Sequence, residues 1–264
     1  MNTNKIILGV VSLALVAFFI YSIVRATKYS TLPSNNKVVL MEYTKNTPSN
    51  DIIGGEMIMP SSDGKYGVEM SYSFWMYIDN LNNITKDNPK KLLHVLHKGD
   101  RYANPSQSPG IWLRKDNNMV SMVVKMNTFY SPKDCVKGDM QNENCYLEKC
   151  HITNIPTKKW VHVAIVVINK NIDLYVNGFL KKRCLLRGLP RLNVGDLYIT
   201  QSQNGLSTYD GLISKVYYYN YALPIWLIER LNNEGPSQKI EDTVMDVQPP
   251  YLASSWWTGR MTPK

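Results

Sequence analysis

The chain has 264 residues, 44% of them apolar, with 30 Lys and Arg against 21 Asp and Glu for a formal net charge of +9. That is apolar enough for a packed core and long enough for one domain of ordinary size beside an anchor segment, while the absence of a fixed-period repeat excludes a solenoid or propeller. The positive balance favours an anionic partner, such as lipid headgroups, nucleic acid or an acidic protein face, or serves solubility alone.

From Ile6 to Val24 the chain carries no charge, and Ile6, Val10, Leu15, Phe19 and Val24 typify its side chains. At about 1.5 Å per residue such a helix reaches roughly 28 Å, close to the hydrocarbon thickness of a bilayer. The run exceeds the apolar region of a signal peptide, and Arg25-Ala26-Thr27-Lys28 follows it where a small-residue cleavage site would stand. Residues 1–28 are therefore expected to be an uncleaved single-pass membrane anchor. Cations flank both ends, so orientation stays open. Residues 29–51 are rich in Ser, Thr, Asn, Pro and Lys and read as a stalk, whose patch Val38-Val39-Leu40-Met41 could add an edge strand.

Residues 52–231 read as one β domain. Asn83-Ile84-Thr85 matches the glycosylation acceptor pattern in a polar loop. Leu92 to His97 is a strand; regular alternation would place His94 and His97 on opposite faces, unable to share a metal. Ile111 to Leu113 and Met119 to Met126 form a hairpin about Asn117-Asn118. A polar insertion, 131–156, carries Cys135, Cys145 and Cys150. Cys184 lies on a later strand. Four cysteines allow three pairings, and sequence cannot choose among them. Cys135 with Cys145 and Cys150 with Cys184 is favoured, because the first closes a short loop and the second fastens the insertion to the sheet. Zinc, with His151 beside Cys150, and free thiols are the rival readings.

Val161 to Ile168 is apolar except at His162, the pattern of a strand buried on both faces. Ile172 to Asn177 alternates, and Asn177-Gly178 supplies the positive φ angles of a tight hairpin. Lys181, Lys182, Arg183, Arg187 and Arg191 then bring five cations with no acid between Phe179 and Leu192. They read as a solvated face or as a docking patch for phosphate groups or an acidic neighbour. No aromatic beyond Phe179 interleaves with them, which argues against single-strand nucleic-acid stacking. Tyr217, Tyr218, Tyr219 and Tyr221 could offer rings to a sugar, although alternation puts Tyr217 and Tyr219 on one face and Tyr218 on the other, and ordinary sandwich packing accounts for rings of this kind as well. After a short helix at 224–231, residues 232–264 form a polar linker and a tail with Tyr251, Trp256 and Trp257, rings that must be covered by the domain, a partner or a membrane interface.

Trp160 opening a strand, then His162-Val163-Ala164 and Leu174-Tyr175-Val176-Asn177-Gly178, resembles the central hairpin of laminin-G-like domains of the concanavalin A-like superfamily. Tyr72 to Tyr77 resembles that family's early core strand, and Tyr209 to Val216 its closing strand. The resemblance implies an all-β, two-sheet antiparallel jelly-roll sandwich. It carries fold more than function, because this fold hosts lectins, glycosidases and adhesion modules. His97-Lys98-Gly99 followed by Pro109-Gly110-Ile111-Trp112-Leu113 is also similar to jelly-roll membrane proteins of large icosahedral double-stranded DNA viruses.

Glycosidases on this fold align two or three acidic residues on one strand, and no such pattern occurs. Nor does a nucleophile elbow, a zinc-protease motif or a phosphate loop. Calcium, frequent in laminin-G-like domains, would have only Asp100 and Asp196 on plausible loops, where each suits turn capping as well. The expectation is a non-enzymatic, single-pass membrane protein without an obligatory cofactor. Its leading reading is a minor capsid protein in the inner membrane of a virion beneath the shell, with lipid and shell proteins as partners and no sequence-specific nucleic acid. The alternative is a membrane-anchored lectin that binds glycan, with or without calcium.

Overall fold

The computed structural model describes residues 12–22, 37–64, 67–81, 91–104, 106–116, 119–130 and 146–240. Residues 12–22 form a helix, α1, whose Leu13, Phe18 and Phe19 are all exposed and whose Ser22 hydroxyl donates to the Phe18 carbonyl. No described helix is long and apolar enough to cross a membrane. Leu15 and Phe19 of the expected anchor lie on α1, whereas Ile6, Val10 and Val24 fall outside the described residues.

The second unit begins at Lys37. Its strands are β1 (Lys37–Met41), β2 (Lys45–Asn46), β3 (Asp51–Ile53), β4 (Ser62–Gly64), β5 (Gly67–Asn80), β6 (Leu93–Gly99), β7 (Gln107–Asp116), β8 (Met119–Asn127), β9 (Leu147–Ile155), β10 (Trp160–Ile168), β11 (Asn171–Val176), β12 (Phe179–Leu185), β13 (Asp196–Ile199) and β14 (Asp210–Tyr219). A helix, α2 (Ile225–Glu234), follows. The strands form two antiparallel sheets, ordered β1-β14-β5-β10-β11-β12, with β2 on β14 and β4 on β5, and β3-β13-β6-β7-β8-β9.

Period-two alternation builds the core between the sheets. Met70, Tyr72, Phe74, Met76 and Ile78 of β5 and Val161, Val163, Ile165 and Val167 of β10 face Leu93, Leu96, Ile111, Leu113, Met122 and Val124 of the other sheet. Each such side chain contributes roughly 1.5–3 kcal/mol on burial. The intervening positions of β10, Ala164 and Val166, join Tyr175, Tyr217 and Tyr219 under Leu223, Ile228 and Leu231 at α2. This second cover explains a strand that is apolar on both faces. It also buries Tyr217 and Tyr219, while Tyr218 is buried in the core between the sheets, so none of the three is available as a sugar platform.

Three boundaries differ from expectation. The stalk read over 29–51 yields the edge strand expected at its apolar patch, β1, and beyond it also β2 and the start of β3, because Val38 and Leu40 pack against the core while the intervening side chains look outward. The insertion read over 131–156 ends in a sheet strand: β9 turns Cys150, Ile152 and Ile155 inward and its polar residues to solvent. The linker read from 232 continues the domain through residue 240, with Thr44 N–H donating to the Lys239 carbonyl and a bridge between Thr44 and Ile240.

His94 and His97 are also corrected. The β6–β7 register slips between His94 and Leu96, a bulge that sends Leu93, Val95 and Leu96 inward and both imidazoles outward. The rings meet, His94 Nε2 lying 2.7 Å from His97 Nδ1. Gln201 N–H donates to His94 Nδ1 and the Asp100 carbonyl lies 2.8 Å from His97 Nε2, so both neutral rings carry their proton on Nε2 and every nitrogen is satisfied. Trp112 and Tyr198 pack on the pair. Asn83-Ile84-Thr85, the Asn117-Asn118 turn and Tyr251, Trp256 and Trp257 lie outside the described residues.

Candidate interaction surface

The predicted cationic patch lies on β12, the free edge of its sheet, and on the segment that leaves it. The β11–β12 hairpin turns at Asn177 (φ 51°) and Gly178 (φ 81°), both in the left-handed region a tight turn of this hand requires. Asn177 is pinned to β10, its Oδ1 accepting from His162 N–H and its own N–H donating to the His162 carbonyl. The ladder with β11 slips between Leu180 and Lys182, so Lys181 is the extra residue of a bulge. Phe179 to Arg183 and Leu185 are exposed.

Arg183 is distinct from the other cations. Its Nε and Nη2 each approach a carboxylate oxygen of the buried Asp173 at 2.6 Å, a two-point clamp that raises the guanidinium pKa through hydrogen bonding and charge. The charge is therefore spent on the fold. Lys181, Lys182 and Arg187 remain exposed, with Arg187 stacked 5.3 Å over the Tyr130 ring, while Arg191 is half-buried and its N–H donates to the Asn127 carbonyl.

The segment after β12 is tied down by a carboxylate. Glu148 on β9 accepts from the N–H groups of Arg187 and Gly188 and from the Thr128 hydroxyl, at 2.8–2.9 Å. Gly188 is required there, since a Cβ would stand 2.4 Å from Tyr130 N. A disulfide joins Cys150 of β9 to Cys184 of β12, closing one side of the sandwich, as the favoured pairing has it. Cys135 and Cys145 are outside the described residues. Asp100 accepts from Ser106 N–H and Asp196 from Gly55 N–H, so each caps backbone.

Sequence reading missed a cavity of about 510 Å³ at the end of the sandwich where β1 begins. Ile58, Met59, Met70, Leu192, Tyr72 and Tyr218 wall it, and Lys98 reaches it from β6. Lys98 pairs with inward-facing Leu197, so its side chain points into the interior. A lone lysine on an apolar strand was the available signal. Its ammonium donates to the carbonyls of Asn193 and Gly195 at 2.8 and 2.7 Å, and burial lowers its pKa.

The family described as the concanavalin A-like lectin/glucanases superfamily, of laminin-G type, matches residues 54–224. No curated protein matches the chain. Among solved structures, the binding domain of botulinum neurotoxin serotype D is 16% identical, with 72% of this chain and 42% of that one covered at a TM-score of 0.46. The binding domain of Paraclostridial Mosquitocidal Protein 1 is 18% identical, with 77% and 48% covered and a TM-score of 0.45. The receptor binding domain of botulinum neurotoxin type G is 13% identical, with 75% and 46% covered and a TM-score of 0.45. This chain spans less than half the length of each.

Proposed function

The chain belongs to the concanavalin A-like lectin/glucanases superfamily, and from that premise we propose that it is a non-enzymatic binding protein. In this reading the N-terminal apolar run holds it in a membrane and the β12 edge docks an acidic protein face. The observation that carries the docking surface is the stretch from Phe179 to Val194, where exposed Lys181, Lys182 and Arg187 alternate with exposed Phe179, Leu185 and Val194 and no acid intervenes. Charges of one sign beside apolar side chains steer an oppositely charged partner and then exclude water from the contact. The carboxylates on the adjoining strands are occupied in holding the fold: Asp173 by Arg183 and Glu148 by backbone N–H groups.

The partner assigned is the protein shell of a large icosahedral DNA virus, with this chain as a minor capsid protein in the membrane beneath it. Support comes from the resemblance at His97-Lys98-Gly99 and Pro109 to Leu113, joined to the anchor and the cationic edge. The test is co-sedimentation with the shell lattice after detergent removes lipid. Retention of the full chain and its loss in Lys181→Glu/Lys182→Glu/Arg187→Glu is the expected outcome. Chelator-sensitive glycan binding with no lattice retention would replace the reading with that of a lectin.

A further inference from the structure

The cavity at the β1 end of the sandwich combines apolar walls with one poorly compensated cation, Lys98, and the exposed Glu56 on its lining. Ile58, Met59, Met70 and Leu192 line it, and its volume of about 510 Å³ lies within the roughly 300–1,000 Å³ of small-molecule sites. Lys98 is only 7% exposed. Its ammonium has three protons and two short acceptors, both neutral carbonyls. The remaining acceptor, Asn193 Oδ1, is 3.5 Å away and already takes the Gly195 N–H. Asp196 acts on Lys98 only through space, its Oδ1 being taken by Gly55 N–H. On the same wall the Tyr72 hydroxyl is buried with no hydrogen-bond partner among the described residues.

A desolvated ammonium without a carboxylate is costly, and an anion is the ligand that relieves it. Apolar walls beside it reward a hydrocarbon rather than a hydrated ion. We infer that the cavity binds an anionic single-chain amphiphile, its head on Lys98 Nζ and its aliphatic chain against Ile58, Met59, Met70 and Leu192. The site shares Leu192 and Val194 with the far end of the docking stretch but none of Lys181, Lys182 and Arg187, and the inference stands whether or not a shell is the partner.

Photolabelling tests it on the full chain in zwitterionic nanodiscs, using dodecanoate with a diazirine on its terminal carbon and mapping the labelled peptides. Label is expected in the peptides carrying Met59, Met70 and Leu192, competed by unlabelled dodecanoate and not by dodecylamine. Competition by dodecyl phosphate as well would assign the site to any anionic head; competition by dodecanoate alone would assign it to a carboxylate. Lys98→Met should lower labelling at least tenfold. Because that change also frees the 193–195 segment, Met59→Trp, which fills the cavity and leaves Lys98 in place, should abolish labelling independently. Label confined to residues 1–36, indifference to Met59→Trp, or equal competition by dodecylamine would each overturn the inference.

Discussion

Three histidines are buried as neutral rings, and each is held by a different arrangement. His94 and His97 complete each other's hydrogen bonds across the β6 bulge, whereas His162 has Ser73 on Nε2 and no partner on Nδ1 among the described residues. Burial lowers His97 and His162 to about 4 and His94 well below its ordinary value. In the unfolded chain all three titrate near 6.5. Below that pH the unfolded state takes up protons that the folded state refuses, so the neutral rings contribute full stability above about pH 6.5 and lose it progressively toward pH 4. With about 1.4 kcal/mol per unit, the loss is on the order of 3 kcal/mol each for His97 and His162. Denaturant midpoints of the full chain between pH 7.5 and 4.5 should fall with a slope of two to three protons, and His162→Gln should remove about one of them. A flat profile over that window would contradict the burial of these rings.

Elements were legible in the sequence where burial is one-sided or complete, and obscure where pairing decides. β10 and β11 stand out because an apolar run and an alternating run flank the Asn169 turn, and Asn177-Gly178 closes the hairpin. β9 was hidden because its inward set, Cys150, Ile152 and Ile155, is irregularly spaced and diluted by Glu148, Lys149, His151 and Asn154. The His94–His97 contact was unreadable, since a bulge at Val95 exists only relative to β7. Lys98 and the cavity escaped because an inward-pointing cation contradicts the pattern that identifies a core. The disulfide between β9 and β12 joins residues 34 apart, at the outer strands of the two sheets. Cross-linking a loop of that size restricts the unfolded chain by about 4 kcal/mol. Cys184→Ser should therefore lower the unfolding free energy by about that amount, read as a fall in the denaturant midpoint at unchanged slope. Limited proteolysis should cut first at β12, whose residues are exposed and whose remaining pairing is to β11 alone. An unchanged midpoint in Cys184→Ser would show that the bond does not staple the two edges.

The chain divides into two units, one ending at Asn36 and one beginning at Lys37. In the second unit the buried apolar residues run from Met41 to Leu231. In the first, α1 leaves Leu13, Leu15, Val16, Phe18, Phe19 and Ile20 each more than half exposed, within a run of uncharged residues from Ile6 to Val24. Such a surface is costly in water and suited to lipid. The two units should therefore respond separately to charge. Leu15→Lys with Phe18→Lys places two cations near the centre of the apolar run, each costing about 2.5–3.5 kcal/mol in a bilayer. The wild-type chain is expected in the membrane pellet after alkaline carbonate extraction, and the double variant in the supernatant. The thermal transition of the sandwich should be the same in both, because no core residue between Met41 and Leu231 has changed. Should both proteins extract equally, the apolar run does not anchor the chain. Should the variant also melt early, α1 supports the sandwich instead of a membrane, and the two units are not energetically independent.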